Sequence, residues 1–339
     1  MLQFLGLHLD AQSASVAILG RDMNISARSQ AAMVNVVADP STGVAEVLPP
    51  EWVRAGSYAL QEAYFQLPVS SRKAWGLGLA GPLGWIALDV EYEPMTGVRI
   101  TNAPPEEDLR NWLEANPRLR SRVCAFLSPK DYFRFAVSGG LAADVTTASR
   151  MDLLQSGKSQ WSEAEVTKQG MSMSWLPPVF DCDVTTGRIS EEGMRRTSLP
   201  GGSWLVAGAH ENEARILAAA DLRDGTLLAS LVPGSSKVFV AFEISSLAPV
   251  VPPPGWKVVR SAVTHHQILE RELEVSPDGV PLSESHPDIV RCRQELQGTG
   301  LEPRGFKLAT GSAEVGAALL AAIGSGTAKN WDLYYKDSG

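Results

Sequence analysis

Apolar runs and helically spaced segments succeed one another along this chain, and the first two runs lie close together. Leu2 to Leu9 and Ser15 to Leu19 have strand character, with a small polar segment between them and Gly20-Arg-Asp-Met-Asn24 turning the chain afterwards. That pattern predicts a β-hairpin start. Glu51 to Phe65 carries apolar residues at helical spacing. Trp75-Gly-Leu-Gly-Leu-Ala80 and Trp85-Ile-Ala-Leu-Asp89 predict two short strands around a Gly-Pro turn. Leu109 to Leu127 reads as helical, with Pro117 as a break or a new first turn. Ser128-Pro-Lys-Asp131 predicts a further helix, because serine suits the N-cap and proline the first turn.

Leu205 to Gly208 predicts a buried strand running into a helix from about His210 to Leu222. Thr226 to Val232 and Lys237 to Phe242 predict two strands flanking Pro233-Gly-Ser-Ser236. In Val250-Val-Pro-Pro-Pro-Gly-Trp256 three successive prolines continue neither a ladder nor a helix, so the run marks a domain boundary. Ser312 to Gly324 predicts an alanine-rich helix ended by glycines. The expected division is a first domain of residues 1 to 245 and a second of residues 246 to 339, with residues 256 to 310 left open between a reduced domain and an extended arm.

With 339 residues, 44% hydrophobic and 20% charged, the chain can bury one large core or two ordinary ones. No apolar run approaches the roughly 20 residues that cross a bilayer, and Met1-Leu-Gln-Phe-Leu5 lacks the basic region and cleavage site of a signal peptide. The expectation is a soluble cytoplasmic protein with no membrane partner. A formal net charge of -8 offers no basic footprint for nucleic acid. Cys124, Cys182 and Cys292 are far apart and form no Cys-x-x-Cys pair, so neither a disulfide framework nor a zinc site is expected. His265 and His266 are adjacent and diverge on any regular element, so they do not chelate one metal.

The segment Leu109 to Phe135, with its Pro129-Lys-Asp-Tyr132 core, resembles a stretch of the FGGY carbohydrate kinases, specifically their xylulokinase-like members. The likeness continues through Ser138-Gly139 and Asp144-Val-Thr-Thr-Ala-Ser149, similar to the family's TGE…TDxSxAS element, then Trp161, Leu176-Pro-Pro-Val179 and Val206-Ala-Gly-Ala-His-Glu-Asn212. The opening Gly6-Leu-His-Leu-Asp-Ala-Gln-Ser13 resembles the family's first phosphate loop, and Gly311 to Gly326 a late helix of its second domain. The resemblance implies an α/β protein with a ribonuclease H-like (actin-like ATPase) first domain and, in this shorter chain, a reduced second domain.

The resemblance also sets out the chemistry position by position. Phosphoryl transfer needs a metal beside the phosphates, amides or hydroxyls cradling them, and a carboxylate to take the sugar hydroxyl proton. In the family's GxDxGT loop the matching positions are His8, Asp10 and Ala11, so a carboxylate has become an imidazole. Asp10 lies two residues on, on the same face of an extended chain, and could substitute as a metal carboxylate. Against that, it replaces the small residue that admits phosphate, and an anion there repels the ligand. Asp10, Gln12 and Ser13 are the first set of nucleotide-loop candidates.

The family's GxxDN base matches Glu211 in Gly208-Ala-His-Glu-Asn212, with Asn212 as a substrate contact. Glu211 is either a base moved by one methylene or a glutamate favouring the helix dipole in a first turn. The family's GQMHG sugar turn finds only Gly81-Pro-Leu-Gly-Trp85. Gly234, Ser235 and Ser236 match the second phosphate loop, and are either an anion site or an ordinary hairpin turn. No GGGA adenine motif follows.

Two functional expectations result. The favoured one is a degenerate sugar kinase homologue that no longer phosphorylates, needs no cofactor, and binds a protein partner, a second copy of itself, or a small polyol or sugar. The other is an active phosphotransferase using ATP and magnesium on a ketose or polyol, with Glu211 as base and Asp10 at the metal.

Overall fold

The computed structural model describes residues 2–34, 36–39, 44–96, 98–100, 105–155, 157–219, 226–231, 237–244, 247–262, 266–274, 282–303, 305–309 and 312–325. The first of two large sheets opens with an antiparallel meander of β1 (Gln3–Leu9), β2 (Ser13–Leu19) and β3 (Ile25–Ala32). β4 (Ala74–Gly81) runs parallel to β1, followed by β5 (Thr185–Arg188), β6 (Trp204–Val206) and the short β7 (Ala209–His210). The order is β5-β6-β4-β1-β2-β3, with β7 also paired to β4. Three antiparallel strands extended by the parallel β4, β6 and β7, with β5 antiparallel at the far edge, form the ribonuclease H-like arrangement expected from the resemblance.

The second sheet contains β8 (Thr226–Leu231), β9 (Lys237–Ile244), β10 (Lys257–Arg260), β11 (Gln267–Glu274) and β12 (Gly305–Ala309), in the order β10-β11-β9-β8-β12. The helices that position the site or pack on these sheets are α1 (Pro49–Gln66), α2 (Pro129–Ser138), α3 (Val145–Arg150), α4 (Glu211–Ala218), α5 (Pro287–Gln297) and α6 (Ala313–Gly324).

β1 is buried along its whole length, as an apolar strand must be when both faces are covered. On one face α1 packs Trp52, Ala59 and Leu60 into a core with Leu5, Leu7 and Leu77. On the other face α6 brings Ala317, Ala318 and Ala321 against Phe4 and Ala80. α6 lies so close that a Cβ at Gly6 would fall on the Glu314 carbonyl and one at Gly78 on the Ala317 carbonyl. The Gly-Leu-Gly-Leu pattern of β4 therefore has a purpose on each side: glycines admit the helix backbone, and leucines fill the opposite core. α5 closes the second sheet through Ile289, Cys292 and Leu296, packed with Leu227, Val240 and Leu269.

The sheets group the chain differently from the division expected of the sequence. The hairpin at residues 226–244 pairs within the second sheet, so the split at residue 245 does not follow the sheets. The proline run at 250–256 lies between β9 and β10 of that sheet. α6, assigned to the second domain, returns to the first sheet. Hairpin periodicity specifies a strand but not its distant partner, which is why these pairings were illegible. Within Leu109 to Leu127, helices Pro105–Ala115 and Pro117–Arg120 give way to a strand, Ala125–Leu127. That strand pairs with Ile86–Leu88, because three fully apolar residues gain more from a buried ladder than from extending a helix. The described residues between 256 and 310 supply strands and a helix to the second sheet rather than an arm.

Candidate functional site

The carboxyl ends of parallel strands β1 and β4, together with β7, converge at the start of α4, the usual place for a ligand crevice in such sheets. His8 on β1 stands opposite Ala80 on β4, and Ala80 in turn stands opposite Ala209 on β7. One residue beyond β7, Glu211 begins α4 and reaches back across that row. His8 Nε2 and Glu211 Oε2 lie 2.9 Å apart, and Arg215, one helical turn along α4, donates to the same oxygen at 3.1 Å. The His8 side chain is 6% exposed and that of Glu211 is 21% exposed, so the pair sits at the edge of solvent. Burial works against the ionised Glu211 carboxyl, yet the bond from His8 and the Arg215 guanidinium hold it well below the ordinary carboxylate range.

A buried ionic platform fixes this geometry from beneath. Lys130, fully buried, pairs with Asp131 and with Asp144, each at 2.6 Å. Arg134 donates to Asp131 at 2.7 Å, to the Ala142 carbonyl at 2.8 Å, and to the Ala207 carbonyl. Asp144 caps α3 by accepting the N–H groups of Thr146 and Thr147, at 2.9 and 3.0 Å. Burial opposes its ionisation, but Lys130 and Thr146 hold its carboxyl below the usual value. The Thr146 hydroxyl donates to Asp144 and accepts the backbone N–H of His210 at 2.7 Å. Gly208 turns with φ of 77°, where a Cβ would strike the Leu79 carbonyl. The platform thus anchors residues 207 to 210 and aims Glu211.

Asp10 makes different contacts. Its Oδ1 accepts the N–H groups of Gln12 and Ser13, both at 2.7 Å, and its Oδ2 accepts the Ser13 hydroxyl at 3.1 Å. The amides that a phosphate would need at this turn are held by a carboxylate of the chain itself. The Gln12 side chain is exposed, and Ser13 is buried, its hydroxyl also accepting from Gln30 at 2.9 Å. Asn212 Oδ1 accepts from Arg215 at 3.3 Å, and its backbone N–H donates to His210 Nδ1 at 3.2 Å. Gly234, Ser235 and Ser236 lie outside the described residues. Glu211 is therefore brought to His8 and, through Arg215, to Asn212, whereas Asp10, Gln12 and Ser13 are tied to one another in their own turn. Arg215 was missed from sequence, although a Glu followed four residues later by Arg was the available signal.

Residues 89–218 match the FGGY family of carbohydrate kinases, N-terminal domain. Over this segment the chain is similar to the FGGY carbohydrate kinases, and among them to xylulose kinases. It is similar to the xylulose kinase of Bacillus subtilis (strain 168), with 28% identity over 38% of this chain and 26% of that enzyme. The xylulose kinase of Lactococcus lactis subsp. lactis (strain IL1403) matches with 29% identity over 39% of this chain and 26% of its own length. The matched segment thus spans about a quarter of each curated relative.

Among solved structures, xylulose kinase from Rhodospirillum rubrum superposes with a TM-score of 0.84 at 16% identity, covering 98% of this chain and 92% of that one. Plasmodium falciparum glycerol kinase with ADP gives 0.79 at 13% identity, covering 100% and 93%. These two likenesses establish the fold, the actin-like ATPase arrangement, and no activity. Among the described residues no helix is long and apolar enough to cross a membrane.

Proposed function

We propose that this xylulokinase-like homologue has given up phosphoryl transfer and acts as a cytoplasmic binding or regulatory protein. The observation that carries the reading is the Asp10 turn, whose two inward amides are already bonded to a carboxylate at 2.7 Å. The family's chemistry calls for magnesium and ATP at this place. The residues present do not fit that group: the loop carboxylate position is His8, the amides are taken, and an anion at Asp10 opposes a phosphate. A magnesium ion held largely through water needs only one or two carboxylates, so charge and amide occupancy argue more strongly here than ligand count.

Glu211 supports the same reading. A carboxylate held below its ordinary range by His8 and Arg215 is a poor acceptor for a sugar hydroxyl proton, because general-base efficiency falls as the base weakens. The solvent edge of this pair carries a carboxylate, an imidazole, a guanidinium and the Asn212 amide, groups suited to exchanging their mutual bonds for those of a small polyol or sugar without transforming it. A protein partner or second copy is the other ligand proposed, since among the described residues β12 ends the second sheet as an edge strand that needs cover.

One observation favours a second reading, an ATP-dependent phosphotransferase acting on a ketose or polyol. Described strands between residues 226 and 309 form a five-stranded sheet rather than an arm, a second folded body of the kind a two-sided kinase site calls for. Measuring ADP release with magnesium-ATP and a panel of pentuloses and polyols separates the two. No turnover above the Glu211→Gln background supports the binding protein; turnover that Glu211→Gln abolishes rejects it.

A further inference from the structure

Helices α3 and α4, which pack on the first sheet's side, meet the second sheet at a buried charge cluster separate from the His8–Glu211 pair. Arg150 ends α3 with its side chain 7% exposed. Its Nε and Nη2 donate to Glu213 on α4 over 2.6 to 3.1 Å. The same guanidinium crosses to Glu270 on β11, through Nη1 at 2.8 Å and a further bond from Nη2. Phe239 on β9 lies 5.1 Å from it, ring centroid to guanidinium carbon. On the α4 side, Glu213 Oε2 lies 3.1 Å from His210 Nδ1. One residue before Arg150, the Ser149 hydroxyl accepts the backbone N–H of Arg260 on β10, whose side chain reaches Asp181 at 3.4 Å.

We propose that this cluster is a proton-gated pin between the two sheets, closed when it holds one proton beyond the Arg150–Glu213 pair and loosened when that proton leaves. The charge count gives the reason. With Arg150 positive, Glu213 negative, and Glu270 and His210 neutral, the buried seam carries no net charge. Ionising Glu270 puts two carboxylates on one buried guanidinium, and an uncompensated charge out of water is costly. The other charged groups around Glu270 are Lys257, directly opposite on β10, and Glu272, two residues along β11; on α4, Glu211 lies near His210.

Burial raises the Glu270 carboxyl to about 7, with Arg150 opposing the rise and Glu213 adding to it. Glu213 is held below its usual range, Arg150 and His210 overcoming its burial. Burial and Arg150 lower His210 from its ordinary value, which favours the neutral imidazole. A carboxyl raised above its unfolded value of 4.5 retains a proton in the folded chain that the unfolded chain has released. Its contribution to stability is therefore complete below that unfolded value and lost as pH rises through about 7. The seam tightens on the acid side of neutrality. This inference does not depend on whether the crevice retains any kinase activity.

Native-state hydrogen exchange of the whole chain at about pH 6 and about pH 8, corrected for intrinsic rates, tests it. For a proton bound with a pKa near 7 and released on opening, protection of β9 and β11 relative to β1 should fall about tenfold between these conditions. Glu270→Gln, which keeps the shape of the neutral side chain, should flatten the change. A wild-type ratio that stays constant overturns the proposal, and so does a Glu270→Gln chain that retains the tenfold fall. The wild-type comparison decides alone if the variant does not fold.

Discussion

Replacing Asp10 with glycine removes one carboxylate and uncovers the two amides it holds. The bonds at stake are those from the Gln12 and Ser13 amides, both 2.7 Å, and from the Ser13 hydroxyl, 3.1 Å. Hydrogen bonds to a charged acceptor contribute about 1.5–3 kcal/mol each, and a half-exposed turn lies at or below the lower end because water replaces the acceptor. Two such amide bonds at roughly 1 kcal/mol, with about 0.5–1 kcal/mol for the added freedom of glycine, give an expected loss of about 2–3 kcal/mol. Asp10→Asn keeps a neutral acceptor in place and should lose only about 1 kcal/mol. Urea denaturation with an unchanged slope measures both. The freed amides should also bind inorganic phosphate in a calorimetric titration, and the native chain should show no uptake. A stability loss under about 0.5 kcal/mol, or equal phosphate binding by both chains, would refute the assignment of Asp10 as the occupant of its own loop.

Three further changes probe the scaffold. Gly78→Val drives a side chain into the Ala317 carbonyl of α6, and because backbone yields poorly the cost should reach the upper part of the roughly 1–3 kcal/mol range for overpacking or exceed it; a neutral urea midpoint would contradict the packing. Lys130→Met strips the buried partner from Asp144 while Arg134 still serves Asp131, and should cost about 3–5 kcal/mol by urea denaturation; a loss under about 1 kcal/mol would show the platform unimportant. His8→Ala removes the first of the groups holding Glu211 ionised, so a carbon NMR titration should find its carboxyl shifted up toward the ordinary range, and an unmoved titration would show that Arg215 alone sets it.

The local elements were the most legible part of the chain. α2 announced itself through Ser128, Pro129 and Gly139: the serine accepts the Asp131 amide, the proline occupies the first turn, and the glycine ends the helix at φ of 75°. The first hairpin followed from two apolar runs around a turn, and the alanine-rich α6 from composition and its glycine stop. Its destination was written less plainly, in glycines alternating along β4 with leucines, a pattern that reads as a strand long before it reads as a seat for a helix. The sheet joined by residues 226–244 was not legible, since pairings such as Ser230 with Ala309 depend on chain far away.

At the candidate site, the residue types were visible but not their partners. His8 and Glu211 are 203 positions apart, and only the parallel packing of β1, β4 and β7 brings them within 2.9 Å. Asp10 could be read from sequence as a metal carboxylate or as a repelling anion. Its short turn allows a third role, capping its own loop, which depends on backbone direction rather than residue type. The Arg150 cluster escaped notice for the same reason as the sheet pairing: Glu270 is 120 positions from Arg150 and on another sheet.

Calorimetric titration of the native chain with ATP in the presence of magnesium tests the central claim most directly. A self-occupied phosphate turn and an imidazole in place of its carboxylate predict binding weaker than about millimolar, or less than about 4 kcal/mol of binding free energy. Micromolar binding that requires magnesium would contradict the account and return Glu211 to the role of catalytic base.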